Sequence, residues 1–174
     1  MEIGFGAGEH LAAQAAANPG FRFIGCEPFI NGVGTLLDEI DQQKLTNIRI
    51  YDDDARPLLK ALPDACLGRV FVLFSDPWPK KRHNRRRFIV PENLYQLSRL
   101  MKDGAELRFA SDHMGYVRWA LSYITAHGDF QWTAKSPSDW RTRSADAVQT
   151  RYEAKALGKG LPCVYLTFQR RSRR

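Results

Sequence analysis

The chain has 174 residues, 44% of them hydrophobic, and a formal net charge of +7. That is enough apolar material for one domain with its own core, here residues 1–174, and the positive balance points to an anionic partner. Three scattered cysteines (Cys26, Cys66, Cys163) and four histidines (His10, His83, His113, His127) lack disulfide or metal-ligand spacing, and no apolar run reaches membrane-span length. A disulfide scaffold, a metal centre and a membrane span are therefore set aside, and a soluble protein of a reducing, cytoplasmic compartment is expected.

In chain order, Glu2-Ile3 closes a strand and opens into a glycine loop, after which His10 to Ala17 reads as a helix. Phe21 to Cys26 reads as a strand, Ile30 to Gln43 as a helix and Asn47 to Tyr51 as a strand. A short helix is expected over Ala55 to Leu62. Val70 to Phe74 is apolar enough to be a strand buried on both faces. Pro91 to Met101 has a proline suited to a first helical turn, with Gly104 as its C-cap. Ala105 to Ala110 follows as a strand. Val117, Ala120, Leu121 and Ile124 set a helical period over Met114 to His127. Phe130 to Thr133 and Cys163 to Phe168 are two further strands, with a short helix between them near Tyr152 to Leu157. This alternation predicts a mostly parallel sheet with crossover helices. The basic tail Arg170 to Arg174 reads as solvated, the alternative being further phosphate contacts.

The most informative stretch is Ser75-Asp-Pro-Trp-Pro-Lys-Lys-Arg-His-Asn-Arg-Arg-Arg-Phe88. It sets one carboxylate, Asp76, at the end of the buried strand. Lys80, Lys81, Arg82, Arg85, Arg86 and Arg87 follow within a loop's length. Cations packed this densely repel each other unless a polyanion compensates them. An acid beside an aromatic ring and a phosphate-seeking loop points to chemistry on a nucleic-acid base. Trp78 either stacks on that base or packs beneath the loop.

The loop Gly4-x-Gly6-x-Gly8 lets the backbone approach a ligand and turn sharply into a helix, although a plain tight turn has the same pattern. Glu27, at the end of the next strand, is placed to accept both ribose hydroxyls of a nucleoside; the alternative is a turn residue before Pro28. Asp54 after the third strand either meets an adenine amino group or caps the helix that follows. Three acids at successive strand ends, Glu2, Glu27 and Asp54, suit a sulfonium better than a pyrophosphate. This favours S-adenosylmethionine over a nicotinamide dinucleotide.

Taken together, Glu2-Ile-Gly-Phe-Gly-Ala-Gly-Glu-His10, Phe23-Ile-Gly-Cys-Glu-Pro28, the run from Ser75 to Arg87, Ala110-Ser-Asp112 and Thr150-Arg-Tyr-Glu153 resemble the bacterial tRNA (guanine-N7)-methyltransferase family, in its order and over essentially the whole chain. The resemblance implies a Rossmann-like class I methyltransferase, an α/β fold whose seven-stranded sheet is mostly parallel with the last strand antiparallel and helices on both faces. It implies S-adenosylmethionine bound by Glu2, Gly4, Gly6, Gly8, Glu27, Asp54 and Asp76, and Asp76 as the catalytic acid. Lys80, Asp112, Thr150, Arg151, Tyr152 and Glu153 become contacts to tRNA or guanine, and Lys81, Arg82, Arg85, Arg86 and Arg87 contacts to tRNA phosphate. It implies a target guanine in the tRNA variable loop.

From residues alone, Thr150-x-x-Glu153 is also a capping box, and Asp112 is also a candidate N-cap for a helix starting near His113. Only Met1, Glu2 and Ile3 precede the first glycine, so the first strand reads as truncated. Family members carry several dozen further residues upstream, and Met1 is expected to be an internal methionine or a misassigned start.

Overall fold

The computed structural model describes residues 1–173. In chain order, β1 (Glu2–Ile3), α1 (Glu9–Ala17), β2 (Phe23–Cys26), α2 (Ile30–Gln43), β3 (Ile48–Tyr51), α3 (Ala55–Ala61) and β4 (Leu67–Leu73) form the first half. A 3-10 turn (Lys81–Arg86), α4 (Pro91–Leu100), β5 (Met101–Ser111), α5 (Met114–Ala126), β6 (Phe130–Trp132), α6 (Ser138–Arg141), α7 (Arg151–Gly158) and β7 (Val164–Arg170) complete it. The strands make one seven-stranded sheet in the order β3-β2-β1-β4-β5-β7-β6. All pairs are parallel except those of β7, which runs against both β5 and β6. The expected architecture, last strand reversed, is what the chain adopts.

The period-two alternation of β4 splits the core between two faces. Val70 and Val72 point to the side where Leu59, Leu94, Leu97, Tyr116 and Ile124 pack from α3, α4 and α5. Phe71 points the other way and meets the His10 ring of α1 edge-on at 4.7 Å. Beside it, Phe5, Leu11, Val33, Leu36 and Ile48 form a second apolar cluster that seats α1 and α2. Two-residue β1 still pairs on both sides, Glu2 with Gly25 and Phe71, Ile3 with Cys26 and Val72.

Gly104 does not cap α4. That helix ends at Leu100, because Met101 has extended backbone and pairs with Leu67 as the first residue of β5. The register then jumps to Arg69 opposite Glu106, and Gly104, at φ +79°, turns the chain through this irregularity. The tail is tied down rather than free, although Arg171, Ser172 and Arg173 are exposed. Arg170 is buried and donates to the Ser98 carbonyl at 3.1 Å, while Arg173 donates to the Met101 carbonyl at 2.8 Å and pairs with Asp103. Both hold the α4–β5 junction. Arg174 lies outside the described residues.

Candidate active site

The glycine loop leaves β1 at the carboxyl edge of the sheet, where Gly4, Gly6 and Gly8 all have positive φ (+69°, +61° and +86°). Only glycine adopts this at no cost. Their surroundings differ. A Cβ on Gly4 would meet nothing within 4 Å, so this glycine faces the open crevice. A Cβ on Gly6 would lie 2.6 Å from the Tyr152 ring, and one on Gly8 would lie 2.7 Å from Leu36. Gly8 thus serves helix packing, and Gly6 lets a side chain of this protein press on the loop.

The Glu27 carboxylate fixes the loop from behind. Oε2 accepts from the Gly6 N–H at 2.8 Å and Oε1 from the Phe29 N–H at 3.0 Å. Each oxygen keeps a lone pair for a further donor. The other two acids do not leave free charge at this edge, which corrects the expected three-acid rim. Glu2 is buried and its Oε2 meets His10 Nδ1 at 2.7 Å. His10 Nε2 is buried without a partner among the described residues. Asp54 caps α3, accepting from the Arg56 N–H at 2.9 Å, and pairs with the Arg56 guanidinium. Of its two sequence readings, the cap is realised.

The Asp76 loop is strained at its root. Phe74 (φ +50°) and Trp78 (φ +43°) both have left-handed backbone, costly for bulky residues. Two contacts hold that geometry. The Phe74 N–H donates to the Ala110 carbonyl at 2.8 Å, and Arg87 Nε donates to the Pro77 carbonyl at 2.7 Å. Asp76 itself is exposed and accepts no hydrogen bond among the described residues. Trp78 packs within the loop, its ring covered by the Arg86 guanidinium at 4.8 Å and met edge-on by His83 at 5.9 Å.

Lys80, Lys81, Arg82, Arg85 and Arg86 are exposed, as phosphate contacts require. Arg87 is not. It is 4% exposed, its guanidinium lying over Tyr116 at 5.2 Å and Trp119 at 4.9 Å. Burial lowers its pKa from the usual value and raises that of the Tyr116 phenol. Its expected phosphate role is therefore corrected: Arg87 is the anchor of the loop, out of reach of a polyanion.

On the other side of the crevice, Asp112 follows β5 but does not cap α5. The cap is His113, whose Nδ1 accepts from the Tyr116 N–H at 3.1 Å, one residue later than expected. Asp112 is left half-buried and uncommitted. Thr150 does cap α7, its Oγ1 accepting from the Glu153 N–H at 3.2 Å. The reciprocal half of the capping box is absent, because the Glu153 carboxylate turns away: Oε1 accepts from Arg143 Nη1 at 2.8 Å and from the Tyr165 hydroxyl at 2.6 Å. Burial and then the Glu153 carboxylate hold the Tyr165 phenol well above its usual range. Burial, then Glu153 and Asp112, likewise raise the Cys163 thiol, so the two acids flank one sulfur. Arg151 pairs with Glu9 at 2.6 Å, tying the start of α7 to the start of α1.

Arg143 and Tyr165 escaped the sequence reading, while Glu9 and His10 entered it within the glycine-loop motif but without a role. A signal existed for Tyr165 alone: the alternation of β7 sets Tyr165, Thr167 and Gln169 against buried Val164, Leu166 and Phe168. A cavity of about 530 Å³ opens at the opposite, amino edge of the sheet, lined by Met1, Phe23, Ile24, Leu67 and Arg69 among others, and holds none of the candidate site residues. Among the described residues, no cluster of three or more His, Cys, Asp or Glu side chains is placed to hold a metal, and no helix is long and apolar enough to cross a membrane.

A seven-stranded sheet with only β7 reversed and a glycine loop between β1 and α1 defines the class I methyltransferase architecture. Solved structures with this fold include the 16S rRNA methyltransferase KamB (TM-score 0.65, 14% identity, 98% of this chain and 86% of that one). Another is the precorrin-6y C5,15-methyltransferase of Geobacter metallireducens (TM-score 0.64, 16% identity, 98% and 78%). At such identities they establish the fold alone. A family model described as "Putative methyltransferase" matches residues 1–166. The tRNA (guanine-N(7)-)-methyltransferase of Rhodospirillum rubrum is 59% identical over 173 residues, covering 99% of this chain and 68% of that protein. That of Agrobacterium fabrum is 49% identical, covering 98% and 74%. The chain belongs to the tRNA (guanine-N7)-methyltransferase family.

Proposed function

We propose that this chain, acting as a single methyltransferase domain, methylates N7 of a guanine in tRNA, the target lying in the variable loop. The observation that carries the reading is the Asp76 loop. A strained, anchored turn presents an unpaired carboxylate at the end of β4, and five exposed cations follow it directly. A polyanion bound by those cations brings a base edge to that carboxylate.

The crevice suits S-adenosylmethionine: Gly4 leaves open space for close backbone approach, and Glu27 is fixed beside it with lone pairs to spare for ribose hydroxyls. When bound, S-adenosylmethionine supplies an electrophilic methyl that passes in line from sulfur to guanine N7, leaving a neutral thioether and a positive charge on the base. Guanine N7 has an in-plane lone pair and no proton, so no residue must first act as a base. The protein's work is alignment, an effect that can supply on the order of 7–11 kcal/mol. Asp76 accepts from the N–H donors of guanine, fixes the base and offsets the charge that methylation leaves. Gly6, Gly8 and Asp54 shape the cofactor side, and Glu2 with His10 supports the loop from beneath. Lys80, Lys81, Arg82, Arg85 and Arg86 bind phosphate, while Asp112, Thr150, Arg151, Tyr152 and Glu153 face the substrate. Such a protein works in the cytoplasm, where tRNA is modified.

The test is incubation with methyl-labelled S-adenosylmethionine and unmodified tRNA, followed by chemical cleavage at 7-methylguanosine. Label confined to one variable-loop guanine is expected. Label at another atom or in other RNA, with none at N7, would refute the assignment.

A further inference from the structure

Asp76 and Asp112, the two uncommitted acids of the crevice, make no hydrogen bonds of their own among the described residues, so their neighbours in the chain set their spacing. Those neighbours converge on one side chain. Tyr116 of α5 is fully buried, its ring meeting Phe109 edge-on at 5.0 Å. Its backbone N–H donates to the His113 carbonyl at 2.8 Å and to His113 Nδ1 at 3.1 Å, which fixes the turn that carries Asp112. Its hydroxyl accepts from the Ile89 N–H at 3.3 Å, where the basic loop ends. Where that loop begins, Ser75 Oγ, directly before Asp76, is sealed from solvent with no hydrogen-bond partner among the described residues. Burial raises the Tyr116 phenol above its usual range, and Ser75 is the group that most opposes this, so the two hydroxyls face each other at close range. A phenol offers one donor, and a serine hydroxyl offers two acceptor lone pairs. Each group holds the partner that the other lacks, and a buried polar group left unpaired is costly.

We propose that Tyr116 is a positioning residue whose hydroxyl latches Ser75 to Ile89 and thereby fixes Asp76 against Asp112. This rests on the reading of Asp76 given above and adds to it the brace that holds the acid in place. Phe74 and Trp78, on either side of Asp76, have left-handed backbone, and such geometry persists only where surrounding contacts over-determine it. The Ala110 carbonyl holds the loop at Phe74, and Arg87 holds it at Pro77. Neither bond reaches Ser75, the residue that leads into Asp76. The Tyr116 hydroxyl supplies that third point, and it joins the entry of the loop to its exit. A reaction that depends on alignment loses rate when a group shifts by about 1 Å. The latch therefore acts on the transfer step once both substrates are bound. The glycine loop and the five exposed cations lie outside it, so it leaves their binding untouched.

The experiment is a double-mutant cycle of Tyr116→Phe and Ser75→Ala, read by single-turnover rate with tRNA and S-adenosylmethionine both saturating. Tyr116→Phe removes one oxygen and keeps the ring under the Arg87 guanidinium. Each single variant should lose about tenfold in rate, the worth of one ordinary hydrogen bond. The double variant should lie within about twofold of either single one, because both changes remove the same bond. Affinities for tRNA and for S-adenosylmethionine, measured separately, should stay within about twofold of the wild type. A merely structural role would lower the urea midpoint without this split between rate and affinity. If Tyr116→Phe fails to fold, Ser75→Ala leaves Tyr116 in place and decides by the same split. An unchanged rate in either variant, losses that multiply in the double variant, or a loss confined to tRNA affinity would overturn the proposal. A wild type that methylates no guanine N7 would instead overturn the reading on which it rests.

Discussion

Replacing Arg87 by alanine separates an anchor from a phosphate contact. Arg87 makes one charged hydrogen bond, to the Pro77 carbonyl, and its guanidinium lies over two aromatic rings. A hydrogen bond to a charged group contributes about 1.5–3 kcal/mol, and each desolvated cation–π contact about 0.5–2 kcal/mol. Allowing for relaxation of the loop, Arg87→Ala should cost roughly 3–5 kcal/mol, a large share of the stability of a domain this size. In urea the midpoint should fall by on the order of 1–2 M. Activity should fall further, because Trp78 and Phe74 no longer have a fixed loop to hold their left-handed backbone. The salt dependence of tRNA binding should keep nearly its original slope, since Lys80, Lys81, Arg82, Arg85 and Arg86 remain exposed. An unchanged urea midpoint, with a salt slope flatter by about one phosphate, would show that Arg87 meets the nucleic acid and that the anchor argument fails.

Gly6→Ala should weaken S-adenosylmethionine binding in calorimetry, because alanine is strained at φ +61° and its Cβ would lie 2.6 Å from the Tyr152 ring. Adding Tyr152→Ala should restore only part of the loss; full restoration would show that backbone strain contributes nothing. Asp76→Asn should lower the single-turnover rate by about a hundredfold or more while leaving cofactor affinity within about twofold, and normal turnover would remove Asp76 from the chemistry. Hydrogen bonding from Arg108, reinforced by Arg69, holds the Asp146 carboxyl below the usual range. Its folded-state pKa is depressed, so its contribution is present above the ordinary Asp value near ~4 and is lost as pH falls below it. Urea midpoints of wild type and Asp146→Asn should therefore differ near neutral pH and converge on acidification, and a gap independent of pH would exclude that ionisation as the cause.

The sheet was legible because its strands are written in burial. Val70-Phe-Val72 reads as a strand covered on both faces, which its burial bears out, and such a strand implies crossover helices on each side. Where the expectation failed, a tertiary pairing outweighed a sound local signal. Met101-Lys-Asp-Gly104 has the composition of a helix ending in a glycine cap, but Leu67 recruits Met101 into the sheet and ends the helix before the glycine is reached. Asp112 is a better cap by composition than His113. Yet Ser111 Oγ accepts the His113 N–H at 3.1 Å, and the helix starts one residue later.

The site was legible in its acids and glycines and illegible in their partners, for a reason that distance along the chain makes plain. Glu27 serves Gly6 from 21 residues away, inside one strand–helix–strand unit whose geometry the sequence pattern predicts. Arg69 and Arg108 share Asp146 from 77 and 38 residues away, across contacts that no local period encodes. Cations close in sequence look alike until the fold sorts them. Arg86 and Arg87 are adjacent in the same basic run, and one covers a surface tryptophan while the other is sealed between Tyr116, Trp119 and the Pro77 carbonyl. A basic run therefore gives an upper bound on phosphate contacts, and it is burial, residue by residue, that decides how many of its charges a polyanion can reach.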